Sequence, residues 1–246
     1  MEMERKMPIA IIIPARNEAE NLTELIPRIV EVLQENDEIV IIEGGSTDNT
    51  YDVATKLHLQ YSQVSIVKQT GTGKFNAVLN GVETTNCETV MVWDADATVN
   101  FDQNIKIYSA GREDDAAKAL ILGDRLRGHR ERKAMRPINL LGNWAFAILW
   151  SPILMRKPID LLCGSKKFPR EVLNKAPNWL LQLDPYGDFT MIIVSKQLGY
   201  EITSIPVLYH ARTYGHTNIH RWSGGITLLK VSLGIIFRLV RKDFWK

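Results

Sequence analysis

Cysteine is nearly absent: the 246 residues hold two, Cys87 and Cys163, far apart and in no C-x-x-C pair. Neither a disulfide framework nor a zinc site is therefore expected, and a reducing, cytosolic setting is the default. Long apolar runs are missing too. None without interruption reaches the ~20 residues that cross a bilayer, and the apolar stretch 9–13 is too short for a signal-peptide core. Charge of one sign is also lacking. Thirty Lys and Arg against 28 Asp and Glu leave +2, which gives no bulk attraction for nucleic acid, so no such partner is expected and any basic surface must be local. Internal repeats and low-complexity segments do not occur. Two nucleotide motifs are excluded: a Walker A loop needs glycine where Lys68 stands and Ser or Thr where Phe75 stands, and a dinucleotide fingerprint needs a third glycine at Asn76.

What the chain does have is an ordinary globular composition, 45% hydrophobic and 24% charged, long enough for one domain with a well-buried core. Residues 89–96, TVMVWDAD, organise it: an apolar, β-branched run passes straight into Asp94 and Asp96, as a buried parallel strand does when it delivers acids to its carboxyl edge. Ligands of open α/β sheets bind at that edge. Earlier units repeat the plan. A strand over 8–13 stops at Pro14-Ala15-Arg16-Asn17-Glu18, and a helix over 20–34 follows with Leu22, Leu25, Ile26, Ile29, Val30 and Leu33 on one stripe. A strand over 38–42 empties into Glu43-Gly44-Gly45-Ser46-Thr47-Asp48-Asn49-Thr50, where Asp48 or Asn49 can cap the next helix. A strand over 64–67 opens into Gly71-Thr72-Gly73-Lys74 and a helix to about residue 83. Three successive β-α-β units predict a parallel α/β sheet. Beyond Asp96 the pattern predicts a helix over 102–110, a strand over 119–122, an apolar stretch 137–155, a short strand over 163–168, a helix from Asp188 to about 198 and a last strand over 201–209.

The ordered blocks IAIIIPARNE (9–18), EIVIIEGGSTDNT (38–50), residues 71–81, Asp94-Ala95-Asp96 and Gly187-Asp188 resemble those of inverting family-2 glycosyltransferases of the GT-A fold. Within that family the chain is most similar to the dolichol- or polyprenyl-phosphate mannosyltransferase branch, whose Arg-x-x-Gly-x-Ser-Lys segment resembles Arg212-x-x-Gly215-x-Thr217-Asn218. The resemblance covers about residues 8–222. It implies a Rossmann-like, mostly parallel sheet flanked by helices, and transfer of a sugar with inversion from a nucleotide-diphosphate sugar, assisted by Mg²⁺ or Mn²⁺. Two departures stand out: the family commonly has a second acid where Gly44 stands, and a lysine where Asn218 stands.

Carried over position by position, the resemblance places Pro14, Ala15, Arg16, Glu18 and Glu43 beside the nucleoside, with Gly45, Ser46, Gly73, Lys74 and Ala95 along the donor. It puts Asp94 on the ribose or the metal and Asp96 on the metal. Lys74, Arg125, Arg212 and Arg221 are candidates for phosphate contacts, since fixed cations offset the charge that develops on a leaving diphosphate. Asp188 corresponds to the family's general base for a hydroxyl acceptor; with a lipid phosphate the nucleophile is already anionic and needs none. Asp96, Asp188 and Arg212 are thus the expected catalytic set. His216 and His220 lack a third ligand and read as loop residues.

Residues 1–222 read as the transferase domain and 223–246 as a basic amphipathic helix. Over 224–240, ~25 Å at 1.5 Å per residue, Lys230 and Arg238 interrupt the apolar surface, and Arg241 and Lys242 continue the stripe. A helix of this kind suits the membrane interface better than a span, so a peripheral site on the cytoplasmic face is expected, with a polyprenyl phosphate or other lipid-linked acceptor. Two alternatives remain: the same donor chemistry on a glycan or small hydroxyl, or a non-catalytic nucleotide-sugar-binding scaffold at the membrane.

Overall fold

The computed structural model of the chain describes residues 7–112, 119–131, 134–212, 214 and 221–245, with 221–223 described by backbone alone. The first half alternates as expected: β1 (Ile9–Ala15), α1 (Ala19–Val30), β2 (Glu38–Glu43), α2 (Thr50–Gln60), β3 (Val64–Lys68), α3 (Lys74–Thr84), β4 (Thr89–Val92) and α4 (Phe101–Ser109). The second half runs β5 (Ala119–Asp124), α5 (Pro137–Leu154), β6 (Lys166–Pro169), α6 (Glu171–Asn174), α7 (Asn178–Leu183), α8 (Asp188–Gln197), β7 (Glu201–Pro206) and α9 (Arg221–Val240). α1 stops short of the predicted residue 34 because the Asp37 carboxylate takes the Gln34 N–H at 3.0 Å and turns the chain into β2. α6 and α7 were not predicted.

The strands form one sheet in the order β3-β2-β1-β4-β6-β5-β7. All neighbours run parallel except β6, which is antiparallel to both β4 and β5. Side chains alternate across a strand, and here each alternation feeds a separate core. Ala10, Ile12, Val40, Ile42, Val90 and Val92 face the layer that holds Phe75, Trp150, Phe189 and Ile235. Ile9, Ile11, Ile13, Ile39, Ile41, Met91 and Trp93 face the layer of Leu22, Ile26, Ala54 and Tyr108. Strands buried on both faces need continuous apolar runs rather than alternating ones, which is the composition of β1, β2 and β4.

Register sets what arrives at the carboxyl edge. Ala15 pairs with Glu43 and Glu43 with Lys68, so β1, β2 and β3 end level. β4 ends at Val92 opposite Ile12, which frees Trp93 to Asp96 to pass over that edge. Because β6 runs backwards, its first residue, Lys166, lies opposite both Val92 and Leu122 at the same edge.

The second face carries the apolar helices. α5 is the one helix among the described residues long and apolar enough to cross a membrane, yet it lies along the protein body. Trp150 stacks on Phe189, ring centroids 4.7 Å apart and planes 3° from parallel, and its Nε1 donates to Ser232 Oγ of α9 at 3.0 Å. α9 contributes Val231 and Ile235 to the same core, and Phe244 follows it there. The C-terminal helix therefore starts two residues before the predicted boundary and is built into the main fold.

Candidate active site

The first two edge loops are tied to each other by backbone and side-chain bonds. Gly44 N–H donates to Ala15 O at 2.8 Å. Asn17, left-handed at φ 57, donates its N–H to Ser46 Oγ at 3.0 Å and accepts from Thr47 N–H at 2.8 Å. Glu43 accepts from Ser46 N–H at 2.6 Å, and Asp48, one of the two predicted caps, accepts from Thr50 N–H at 2.9 Å. The 71–74 loop is anchored by Asn76, the residue that breaks the dinucleotide fingerprint: its Oδ1 accepts from Gly71 N–H at 2.9 Å and from Gln69 Nε2 at 3.0 Å. Gly73, at φ 87, then turns Lys74 inward.

Lys74 forms an ion pair with Asp94. Burial opposes the lysine's charge, but the carboxylates of Asp94 and Asp188 outweigh it and raise its pKa. The converse holds for Asp94: burial pushes its carboxyl up, and Lys74, with Lys166 and Arg125 behind it, pulls it below the usual range. Gly164 closes over this pair. A Cβ on Gly164 would overlap the Asp94 carboxylate and crowd Lys74 Nζ, so only glycine lets the backbone come this near.

Asp96 accepts from Thr98 N–H at 3.1 Å and Thr98 Oγ1 at 2.8 Å with one oxygen, and from Arg212 Nη2 at 2.6 Å with the other. The same guanidinium donates to Glu18 at 3.2 Å, which joins the loops after β1 and β4 to the segment after β7. Burial raises the Glu18 pKa; Asn21 and Arg212 oppose it, while Asp96 and Asp94 add to it.

Across from these, Asp184 holds the turn that presents Asp188. It accepts from Gly187 N–H at 3.0 Å and from Thr190 N–H at 2.9 Å; burial and the nearby Asp188 charge raise its pKa against those bonds. Gly187, at φ 74, sits against the Phe75 ring where a Cβ would collide. Asp188, the first residue of α8, accepts from Lys166 Nζ at 2.5 Å. Lys166 is fully buried and also donates to the Cys163 carbonyl.

Seven expected site residues thus converge: Glu18, Glu43, Lys74, Asp94, Asp96, Asp188 and Arg212. Pro14, Ala15, Gly45, Ser46, Gly73 and Ala95 lie on the same loops. Arg16 is exposed on the first of them. Arg125 is placed differently from its expected phosphate role. Its guanidinium is buried and grips Asp160 through two bonds, 2.5 and 3.0 Å, so it anchors the segment leading to Gly164 instead. His216, His220, Gly215, Thr217 and Asn218, and the side chain of Arg221, lie outside the described residues. Lys166, Gly164, Asp160 and Asp184 were missed: the first three act through residues distant in sequence, Asp188, Asp94 and Arg125, whereas Asp184 acts locally, through Gly187 and Thr190.

Among the described residues no three His, Cys, Asp or Glu side chains form a metal cage. A hard divalent cation bound by one or two carboxylates and substrate phosphates does not require one. Asp94 and Asp96 supply the oxygen donors such an ion prefers, and the mutual repulsion of Glu18, Asp94 and Asp96 is what a cation would relieve. The residues fit the group.

The profile of the family described as Glycosyl transferase family 2 matches residues 10–158. The chain is 28% identical over 227 residues to Glycosyltransferase AglJ of Haloferax volcanii, covering 91% of this chain and 70% of that protein. It is 26% identical over 216 residues to dolichyl-phosphate beta-glucosyltransferase ALG5C of Trichomonas vaginalis, covering 80% of this chain and 62% of that one, so it spans less than two thirds of that relative. Its fold is similar to glucosyl-3-phosphoglycerate synthase from Mycobacterium tuberculosis in complex with Mn²⁺ and uridine-diphosphate-glucose, with TM-score 0.61, 18% identity, and 96% and 79% of the two chains covered.

Proposed function

The chain belongs to glycosyl transferase family 2 and has the GT-A fold, and on that premise we propose that it moves a sugar from a nucleotide-diphosphate donor to a polyprenyl-phosphate acceptor at a membrane surface. The observation that carries this reading is the interleaving of carboxylates and cations over one sheet edge: Asp94 with Lys74, Asp96 with Arg212, Asp188 with Lys166. Lys74 and Arg212 are placed to neutralise a diphosphate. Asp94 and Asp96 would hold a divalent cation, which would supply positive charge to offset that of the leaving group.

Lys166 supports an anionic acceptor. Buried behind Asp188, its ammonium offsets that carboxylate's charge, so a phosphate monoester can approach; the monoester oxygen attacks the anomeric carbon from the face opposite the diphosphate. The new C–O bond forms as the bond to the diphosphate breaks, its electron pair leaves with the nucleoside diphosphate, and the anomeric configuration inverts. No proton moves, because the attacking oxygen is already ionised; a hydroxyl acceptor would instead pass its proton to Asp188.

The acceptor's lipid tail is matched by an exposed apolar surface on α5 and α9. Ile138, Leu141 and Ile148 stand out from α5, and Leu229, Leu233, Phe237 and Val240 from α9. Exposed Lys230, Arg241 and Lys242 accompany them, while Arg238 lies 4.6 Å over the Trp179 ring. Apolar side chains with flanking cations suit a helix pair lying on anionic headgroups, and the peripheral, cytoplasmic-face location belongs to the same proposal.

A donor screen tests it: purified protein, Mn²⁺ or Mg²⁺, a panel of nucleotide sugars, and released nucleoside diphosphate as the readout, with and without polyprenyl phosphate. Turnover that needs both metal and lipid is expected. Turnover without lipid would move the acceptor to a hydroxyl or water, and donor binding with no turnover under any condition would leave a scaffold.

A further inference from the structure

A second concavity lies at the other end of α5 and α8. It has a volume of about 470 Å³ and is lined by Arg127, Arg156, Lys157 and Lys196, with Glu201 the one acid among its walls. Lys196 stands eight residues beyond Asp188 on α8, ~12 Å at 1.5 Å per residue, and Glu201 opens β7 at the end opposite Pro206, which is level with Asp124. Arg127 enters the cavity from the loop that follows Asp124, but none of Lys74, Asp94, Asp96, Asp188 and Arg212 lines it, so the donor site and this cavity are separate places.

Its positive charge is only partly compensated. Arg127 approaches Asp124 at 3.8 Å and donates to the Pro158 carbonyl at 2.9 Å. Arg156, Lys157 and Lys196 form no ion pair within 4 Å among the described residues, and Arg156 Nε is buried with no hydrogen-bond partner there. Burial, then the like charge of Arg127, lowers the Arg156 pKa, and Glu201 and Asp124 offset this in part. In a chain whose net charge is only +2, four cations around one cavity are a local excess. The segment that carries two of them is fixed: Arg156 N–H donates to Ser151 O at 3.2 Å, and Met155 takes a left-handed φ of 53 to make the turn.

We propose that this cavity is a phosphate-binding site distinct from the donor site, with Arg156, Lys157 and Lys196 as its ligands and Arg127 as its fixed wall. Guanidinium and ammonium groups turned into one concavity match the geometry and charge of a phosphate group. The volume exceeds a single phosphate and admits a diphosphate or a phosphate carrying a small polar group. Two sources supply that chemistry. One is a free phosphate in solution. The other is the headgroup of an anionic phospholipid, since Leu154 lines the cavity and Met155 beside it, 84% exposed, continues the apolar surface of α5.

The test compares the full chain with the triple variant Arg156→Gln, Lys157→Gln, Lys196→Gln. A control variant, Lys56→Gln, Lys106→Gln, Lys175→Gln, removes the same charge from exposed lysines elsewhere. Inorganic pyrophosphate is titrated by calorimetry in a Lys74→Met background, which weakens the donor site, and sedimentation is measured with phosphatidylglycerol-containing and pure phosphatidylcholine vesicles. The cavity variant should lose about tenfold in affinity for pyrophosphate, for the anionic vesicles, or for both, while the control changes little, as close charge pairs are worth more than distant ones. Loss with pyrophosphate alone identifies a free phosphate; loss with vesicles alone identifies a headgroup. The proposal is overturned if neither probe binds, or if the cavity and control variants weaken binding equally. Circular dichroism melting of all variants verifies that they are folded.

Discussion

At the scale of single residues, the site depends on partners that no local motif announces. Gly164 is an example: Gly164→Ala is expected to displace the Asp94–Lys74 pair and lower kcat/KM roughly tenfold or more, an effect of misplacing a binding group by a fraction of the reacting distance. Thermal melting should shift little, and unchanged kinetics would refute the packing argument. Asp96→Ala should abolish metal-dependent donor turnover, and an active variant would remove Asp96 from the chemistry. Lys167 makes a prediction about pH. Burial, then the charge of Arg112, pushes its pKa down to about 7 against the pull of Asp37. The folded value is below the unfolded one, so between pH 7 and about 10.5 the unfolded chain holds the extra proton and stability rises with pH. Relative to Lys167→Met, wild type should gain at most ~1.4 kcal/mol per pH unit across that window and nothing below it. Urea unfolding at pH 6.5 and 9.5 decides; a constant difference rejects it. That Asp94, Asp96, Asp188 and Arg212 come together at one sheet edge was legible because each sits near the end of a recognisable strand or turn. Arg125 was read towards the donor because Asp160, which claims it from 35 residues away, carries no signal of its own.

At the scale of elements, apolar runs ending in polar loops made the strands readable, and 3.6-residue stripes did the same for α1. Short elements were not: α6 and α7, with 4 and 6 residues, complete fewer than two turns and leave no periodicity to detect. The direction of β6 was equally hidden, since a strand of Lys-Lys-Phe-Pro reads alike both ways. α5 was legible as an apolar stretch, though not as a helix anchored on one side. Only Ala147, Trp150 and Leu154 of its 18 residues are buried, and the anchor is Trp150. Trp150→Ala should cost ~3–5 kcal/mol, the range for truncating a large buried aromatic, measured by chemical denaturation. By contrast, Leu233→Glu with Phe237→Glu on the outer face of α9 should leave stability nearly unchanged and abolish sedimentation with anionic vesicles. Retained sedimentation would end the membrane-face proposal.

At the scale of the molecule, two cores on opposite faces of one sheet support a site that stands on ion pairs within the chain itself. Lys74 and Arg212 already neutralise the acids expected to hold the cation. A chelator should therefore stop turnover while leaving the melting temperature within ~2 °C, unlike proteins whose metal supplies folding energy; a large fall in melting temperature would contradict this. The α/β class and the position of the site at the carboxyl edge were both open to inference, because β-α-β succession restricts topology so strongly. The sheet order beyond β4 was not, for it turns on one reversed strand.

That reversed strand also dictates an order of assembly. β1 to β4 come first in the chain and pair with one another in the order β3-β2-β1-β4, so a nascent polypeptide can close this half as it leaves the ribosome. β5 cannot join: its partners are β6 and β7, both synthesised later. Until β6 appears, β4 keeps a bare hydrogen-bonding edge, a place where another chain could pair. The same strand that brings Lys166 to the site thus ends the interval in which a half-made protein is open to aggregation.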